Sequence, residues 1–170
     1  MRILGIDPGF AIVGYGVIDS EKGKSSVVDY GVITTPKEEK LPARLHMIYD
    51  DLAALIDKFK PDCMAIEELF FTKNITTGIA VAEARGVILL CATHKLGHIF
   101  EYTPNQIKEA LTGYGKATKA QMQFMVTRLL GLKSVPKPDD TSDALAVSLT
   151  QQQTARLACV FRVIYSHQMK

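Results

Sequence analysis

Four carboxylates stand where they could act together. Asp7 closes the short apolar run Arg2–Asp7 and precedes Pro8-Gly9; proline biases the residue before it toward extended backbone, which predicts Asp7 at a strand's last position. Glu67 closes a second such run, Cys63–Glu67. Asp140 and Asp143 are three apart in a helical stretch beginning near Asp139, so they share a face with β-carbons about 5–6 Å apart. If the first and fourth strands are parallel neighbours, Asp7 and Glu67 reach the same sheet edge, where open α/β sheets gather ligands. Like charges this close disfavour shared ionisation, so the cluster requires cations. Oxygen donors without histidine or thiolate suit Mg²⁺ or Mn²⁺. Two such ions about 3.5–4 Å apart would polarise a phosphodiester, activate an attacking water and stabilise the leaving oxygen. This chemistry needs the acids close together and not taken up in salt bridges with lysine.

Each acid also has a plainer role. Asp139 is placed to cap the last helix, and Asp140 and Asp143 suit its positive end. Asp7 can serve as a turn former, and Glu67 can mark an exposed strand terminus. Their joint placement is what points to catalysis. Glu68 doubles Glu67 and Asp139 doubles Asp140; helical spacing favours the Asp140/Asp143 pair.

The elements that must position these acids are legible from periodicity. Segments 14–18 and 27–35 read as a second and third strand, joined by a polar turn over 20–26, an antiparallel meander. Leu41, Leu45, Ile48, Leu52, Leu55, Ile56 and Phe59 are spaced three or four apart, an amphipathic helix stopped by Pro61. Residues 74–95 form a long helix rich in small residues, and 98–103 a fifth strand. Pro104 opens a helix that Gly113-Tyr114-Gly115 breaks; 118–130 is another, with Met122, Met125, Val126 and Leu129 on one side. Strands followed by strand–helix alternation predict an α/β fold, a mixed sheet with helices on its faces, the strand after the crossover parallel to the first. Gly14 and Gly16 share one strand face, which suits either close approach of a phosphate or close helix–sheet packing.

With 170 residues, 47% hydrophobic and 22% charged, the chain excludes wholesale disorder and fibrous repeats and suits one domain, 1–150, with a tail or helix over 151–170. The net charge of +2 is unevenly spread: between Tyr102 and Pro138 six bases (Lys108, Lys116, Lys119, Arg128, Lys133, Lys137) face one acid, Glu109. That bias favours an anionic polymer as partner. Cys63, Cys91 and Cys159 form no CxxC pair and read as free thiols of a reducing cytosol. Cys91, His94 and His98 hint at zinc, but no fourth ligand is in view. His46 reads as a surface residue. The longest apolar stretch, 86–92, is far short of the roughly 20 residues a membrane span needs, so a cytoplasmic location without a membrane is expected.

Several blocks carry a family resemblance. Gly5-Ile6-Asp7-Pro8-Gly9 with Gly14-Tyr15-Gly16-Val17, Ala65-Ile66-Glu67-Glu68-Leu69-Phe70, Lys73-Asn74, Ala84-Arg85-Gly86 and Asp140-Thr141-Ser142-Asp143-Ala144-Leu145-Ala146 resemble, in order and spacing, the RuvC family of Holliday-junction resolvases. The resemblance implies a ribonuclease-H-like fold: a five-stranded mixed sheet, first three strands antiparallel, helices on both faces. It further implies a Mg²⁺-dependent endonuclease that nicks four-way DNA junctions symmetrically, a homodimer, and a branch-migration complex, RuvA–RuvB, as partner. Catalytic roles fall by the resemblance on Asp7, Glu67, Asp140 and Asp143. DNA contacts fall on Phe70, placed to stack on an unpaired base, and on Lys73, Asn74, Lys108 and Lys119; Lys116 joins them by its position beside the glycine break. Solvated helix lysines and a phenylalanine packed beneath the next helix are the plainer alternatives. Three other functions compete. A RuvC-like nuclease acting on structured RNA shares the site. An actin-like ATPase would need a second lobe and a second glycine-rich phosphate loop that the chain lacks. A non-catalytic junction binder would have no use for four carboxylates near phosphates.

Overall fold

A computed structural model of the chain describes residues 1–69 and 75–155, with the side chains of 75–77 excepted. The strands are β1 (Arg2–Asp7), β2 (Ile12–Glu21), β3 (Lys24–Thr34), β4 (Cys63–Glu67) and β5 (Ile99–Tyr102). The helices are α1 (Leu41–Phe59), α2 (Ile75–Lys95), α3 (Pro104–Thr112), α4 (Lys119–Leu129) and α5 (Asp139–Thr154). The sheet order is β3-β2-β1-β4-β5. The first three strands pair antiparallel, while β1–β4 and β4–β5 pair parallel, as expected of a strand that follows a helical crossover.

Strand alternation sends neighbouring residues to opposite faces. Leu4, Ile6, Val17, Met64 and Ile66 pack against Ile48, Leu52 and Ile56 of α1 and Ile88 and Cys91 of α2. Ile3, Ile18, Cys63 and Ala65 face the other way, onto α3, α4 and α5 through Ile107, Leu111, Met122, Val126, Leu145 and Leu149. Helices therefore cover both faces. Each fully buried Ile or Leu contributes about 1.5–3 kcal/mol.

The meander differs from expectation in its turn. The strands extend to Glu21↔Lys24, leaving only Lys22 and Gly23 between them, both with positive φ (48° and 82°). A two-residue turn of that hand matches the strands' twist, and the polar Ser and Lys residues placed in the turn by composition are paired strand residues instead. Thr103 and Thr118 cap α3 and α4, each accepting from the backbone of a glutamine three residues on (Gln106, Gln121) whose side chain returns the bond. Of the four residues expected on one side of α4, Met122 and Val126 are buried and Met125 packs against the same core, whereas Leu129 is 41% exposed.

The apolar pattern of α5 is weak for a physical reason. The helix is covered by β1 and β2 on one side and by α3 and α4 on others, so Thr141, Ser142, Ser148 and Thr150 are buried along with its apolar residues. Ser148 and Thr150 return their hydroxyls to the carbonyls of Leu145 and Ala146 within the helix. Small side chains here let α5 lie close on the sheet.

Candidate active site

Three glycines decide how close. A β-carbon on Gly5 would stand 2.2 Å from the Ala144 carbonyl oxygen, one on Gly14 2.1 Å from that of Asp140, and one on Gly16 2.7 Å from Leu145 Cδ2. Gly14 and Gly16 thus serve helix packing, and α5 lies almost on the backbone of β1 and β2. Asp7 pairs with Gly14 in the ladder, so the first turn of α5 sits directly above the end of β1. Ile6 pairs with Ile66 in parallel, which places Glu67 beside Asp7 at the same edge. Asp7 and Glu67 fall on the α5 side of the sheet, because Ile6 and Ile66 are in the opposite core.

Asp7, Glu67, Asp140 and Asp143 consequently act on one another. Burial first, then the charges of Glu67, Asp143 and Asp140, push the Asp7 carboxyl up to about 8, with Lys119 opposing. Burial and then Asp143 push Glu67 up to about 7, with Lys108 opposing. Asp143 is also raised, by burial above all, while Lys119 holds it back. A cleft of about 250 Å³ beside these acids is lined by Glu67, Pro104, Lys108, Lys119, Met122 and Asp143.

The expectation of acids free of lysine fails at Asp143. Lys119 Nζ lies 3.2 Å from Asp143 Oδ2 and 3.3 Å from Asp139 Oδ2, because α4 starts beside the first turn of α5. The expectation that Asp139 caps α5 also fails: the cap residue is Pro138, with no side-chain bond. Asp139 instead meets Lys137 Nζ at 2.7 Å and accepts from Gln123 Nε2 at 3.1 Å, and Lys137 and Lys119 hold its carboxyl below the usual range. Glu67 and Asp140, rather than their neighbours Glu68 and Asp139, are among the charges that raise Asp7. Lys108 and Lys119 line the cleft, whereas Lys116 stands exposed on the α3–α4 connection. Phe70, Lys73, Asn74 and Cys159 lie outside the described residues. Cys63 and Cys91 are free and buried, and burial pushes their thiols up to about 12 and about 11. His46 is exposed and pairs with Asp50 at 3.3 Å.

The donor set fits a hard divalent cation: four carboxylates, partly buried, with more negative charge than nearby lysines neutralise. Among the described residues no three His, Cys, Asp or Glu side chains stand within reach of one ion, the Cys91/His94/His98 set included. Among these residues no helix is long and apolar enough to cross a membrane.

Comparison with known proteins decides the family. The family described as crossover junction endodeoxyribonuclease RuvC matches residues 3–151. A relative of that description from Fusobacterium nucleatum is 53% identical over 150 residues, covering 88% of this chain and 79% of its own. This chain belongs to the RuvC family. Among solved structures, RuvC of Thermus thermophilus superposes with a TM-score of 0.86 at 33% identity, covering 95% of this chain and 99% of that one. The same protein, described as in complex with Holliday junction substrate, gives 0.85 at 31% identity and the same coverage. The fold is accordingly ribonuclease-H-like, as the family resemblance implied. Two contacts escaped the sequence: Gln123 of α4 holds Asp139, and Arg44 of α1 braces the segment after β1. Arg44 donates from Nε to Thr35 Oγ1 at 2.9 Å and lies 3.6 Å over the Phe10 ring. Gln123 lies 16 residues from its partner and Arg44 nine from Thr35, so no local pattern marks either.

Proposed function

We propose that this chain resolves four-way DNA junctions by paired symmetric nicks, as a crossover junction endodeoxyribonuclease in recombination and repair. The observation that carries the reading is the convergence of Asp7, Glu67, Asp140 and Asp143 from β1, β4 and α5, with Asp7 and Glu67 raised to about 8 and about 7 by burial and mutual charge. Those four residues would hold the metal, Mg²⁺ as two ions with Mn²⁺ as a substitute. When bound, the metal supplies a polarised phosphodiester and an activated water.

The remaining work belongs to the chain itself. Asp7 and Glu67 must surrender their protons for the site to load, so proton release accompanies metal uptake. Lys108 and Lys119 flank the cleft where phosphates pass, and Lys116 extends that basic edge along the α3–α4 connection. Lys119 neutralises Asp143 and Asp139 before DNA arrives and exchanges them for phosphate when it does. Phe70 is assigned to stacking on an unpaired base at the crossover, with Lys73 and Asn74 beside it, on the strength of the family match alone. A homodimer places one site on each of two equivalent strands. RuvA–RuvB is the corresponding partner, the cytoplasm the location, and 1–150 the nuclease domain with 151–170 as a tail.

Incubation of the protein with a synthetic four-way junction and Mg²⁺ tests this. Paired nicks at symmetric positions are expected; cleavage of structured RNA in preference, or single unpaired nicks, would refute it.

A further inference from the structure

Glu67 is held from behind. Ile66 faces the α1–α2 core and pairs with Glu101 on β5, so Glu101 emerges on the face opposite the acids. There its carboxylate meets Arg85 Nη2 of α2. The same guanidinium donates from Nε to the backbone carbonyl of Glu67 at 3.4 Å. The pair is not a surface ornament, since the two side chains are 18% and 14% exposed. Arginine suits this double grip because its planar fork presents donors in fixed and divergent directions. A lysine could keep the pair with Glu101, but its compact ammonium could not reach the Glu67 carbonyl as well.

We propose that Arg85 is a positioning residue: it locks the backbone of Glu67 to β5 from the reverse of the sheet and so fixes where the Glu67 carboxylate stands relative to Asp7 and Asp143. This rests on the reading of Glu67 given under the proposed function. The two partners of Arg85 then have separable roles. Glu101 neutralises a buried charge and acts on stability. The Nε bond acts on the placement of Glu67.

The test compares Arg85→Lys and Glu101→Gln in the full chain by thermal melting, junction binding in EDTA, Mn²⁺ binding by electron paramagnetic resonance, and junction cleavage. Arg85→Lys should melt near the parent and bind the junction equally, yet bind Mn²⁺ roughly 10-fold more weakly and cleave roughly 10–100-fold more slowly. Glu101→Gln should melt lower but, below its transition, cleave and bind Mn²⁺ near the parental level. Parental Mn²⁺ binding and cleavage by Arg85→Lys would overturn the proposal. So would losses that track the melting temperature in both variants. Should Arg85→Lys not fold, the double variant Arg85→Gln/Glu101→Gln, a neutral pair lacking the Nε donor, is read by the same measurements and the same criteria. Glu67→Gln run alongside separates the two levels: normal nicking by it would sink the assignment of Glu67, whereas its failure beside an unaffected Arg85→Lys would sink only the role of Arg85.

Discussion

A β-carbon placed on Gly14 would stand 2.1 Å from the carbonyl oxygen of Asp140. No side chain fits between these two residues, and that closeness sets an acid of α5 over the strand end that carries Asp7.

Gly14→Ala should therefore push the first turn of α5 off the sheet. The expected cost is about 1–3 kcal/mol of stability, with cleavage lost more completely than stability. Gly86→Ala is the control, because a β-carbon there meets nothing within 4 Å and should stabilise the helix by about 0.5–1 kcal/mol. Denaturant unfolding of both variants checks this; a neutral Gly14→Ala would show that α5 can retreat without consequence.

Asp7→Asn, Glu67→Gln, Asp140→Asn and Asp143→Asn should each reduce Mg²⁺-dependent nicking by roughly 100-fold or more while junction binding persists. Gel-shift and cleavage assays on one junction read both. Near-normal cleavage by either of the first two would remove the assignment.

The raised carboxyls give a pH signature in the absence of metal. The Asp7 carboxyl sits at about 8 rather than 3.8 and that of Glu67 at about 7 rather than 4.5. Below about pH 4 the folded and unfolded chains both hold these protons; between those values only the folded chain does, so stability falls as pH rises toward about 8. In EDTA the melting temperature should decline from about pH 5 to about pH 8, and Asp7→Asn should flatten the decline, gaining on the order of a few kcal/mol over the parent at the upper end. A parent whose melting temperature holds level across that window would contradict the electrostatics. At limiting Mg²⁺, cleavage should rise with pH over the same interval, and more metal should move the rise to lower pH.

Lys108→Ala and Lys116→Ala should each lower the dependence of junction affinity on salt by about one unit of slope if each meets a phosphate. Lys119→Ala should do the same and also leave Asp143 without its counter-charge, raising the pH at which cleavage begins. Titrations at several salt concentrations separate these outcomes; an unchanged slope assigns the lysine to solvent.

Most of this architecture was readable from residue order. Apolar runs that stop at Asp7 and Glu67 put both at strand ends, and the crossover rule makes their strands parallel; the Ile6↔Ile66 register is seen only in the structure. The Lys22-Gly23 turn was hidden because polar strand residues at a sheet edge look like loop. The cap expected of Asp139 fails because capping is a local rule, whereas Lys119 and Gln123 reach its carboxylate from α4 and Lys137 from the preceding loop. Arg85 stands in the sequence only as part of the Ala84-Arg85-Gly86 motif; nothing local shows that its guanidinium spans β4 and β5.

The acids come from both ends of the chain, with α5 the last described helix and β1 the first strand. During synthesis, a chain that has emerged only through β4 holds Asp7 and Glu67, half of the quartet. The proposed site therefore stays incomplete until α5 has been made and has docked on β1 and β2.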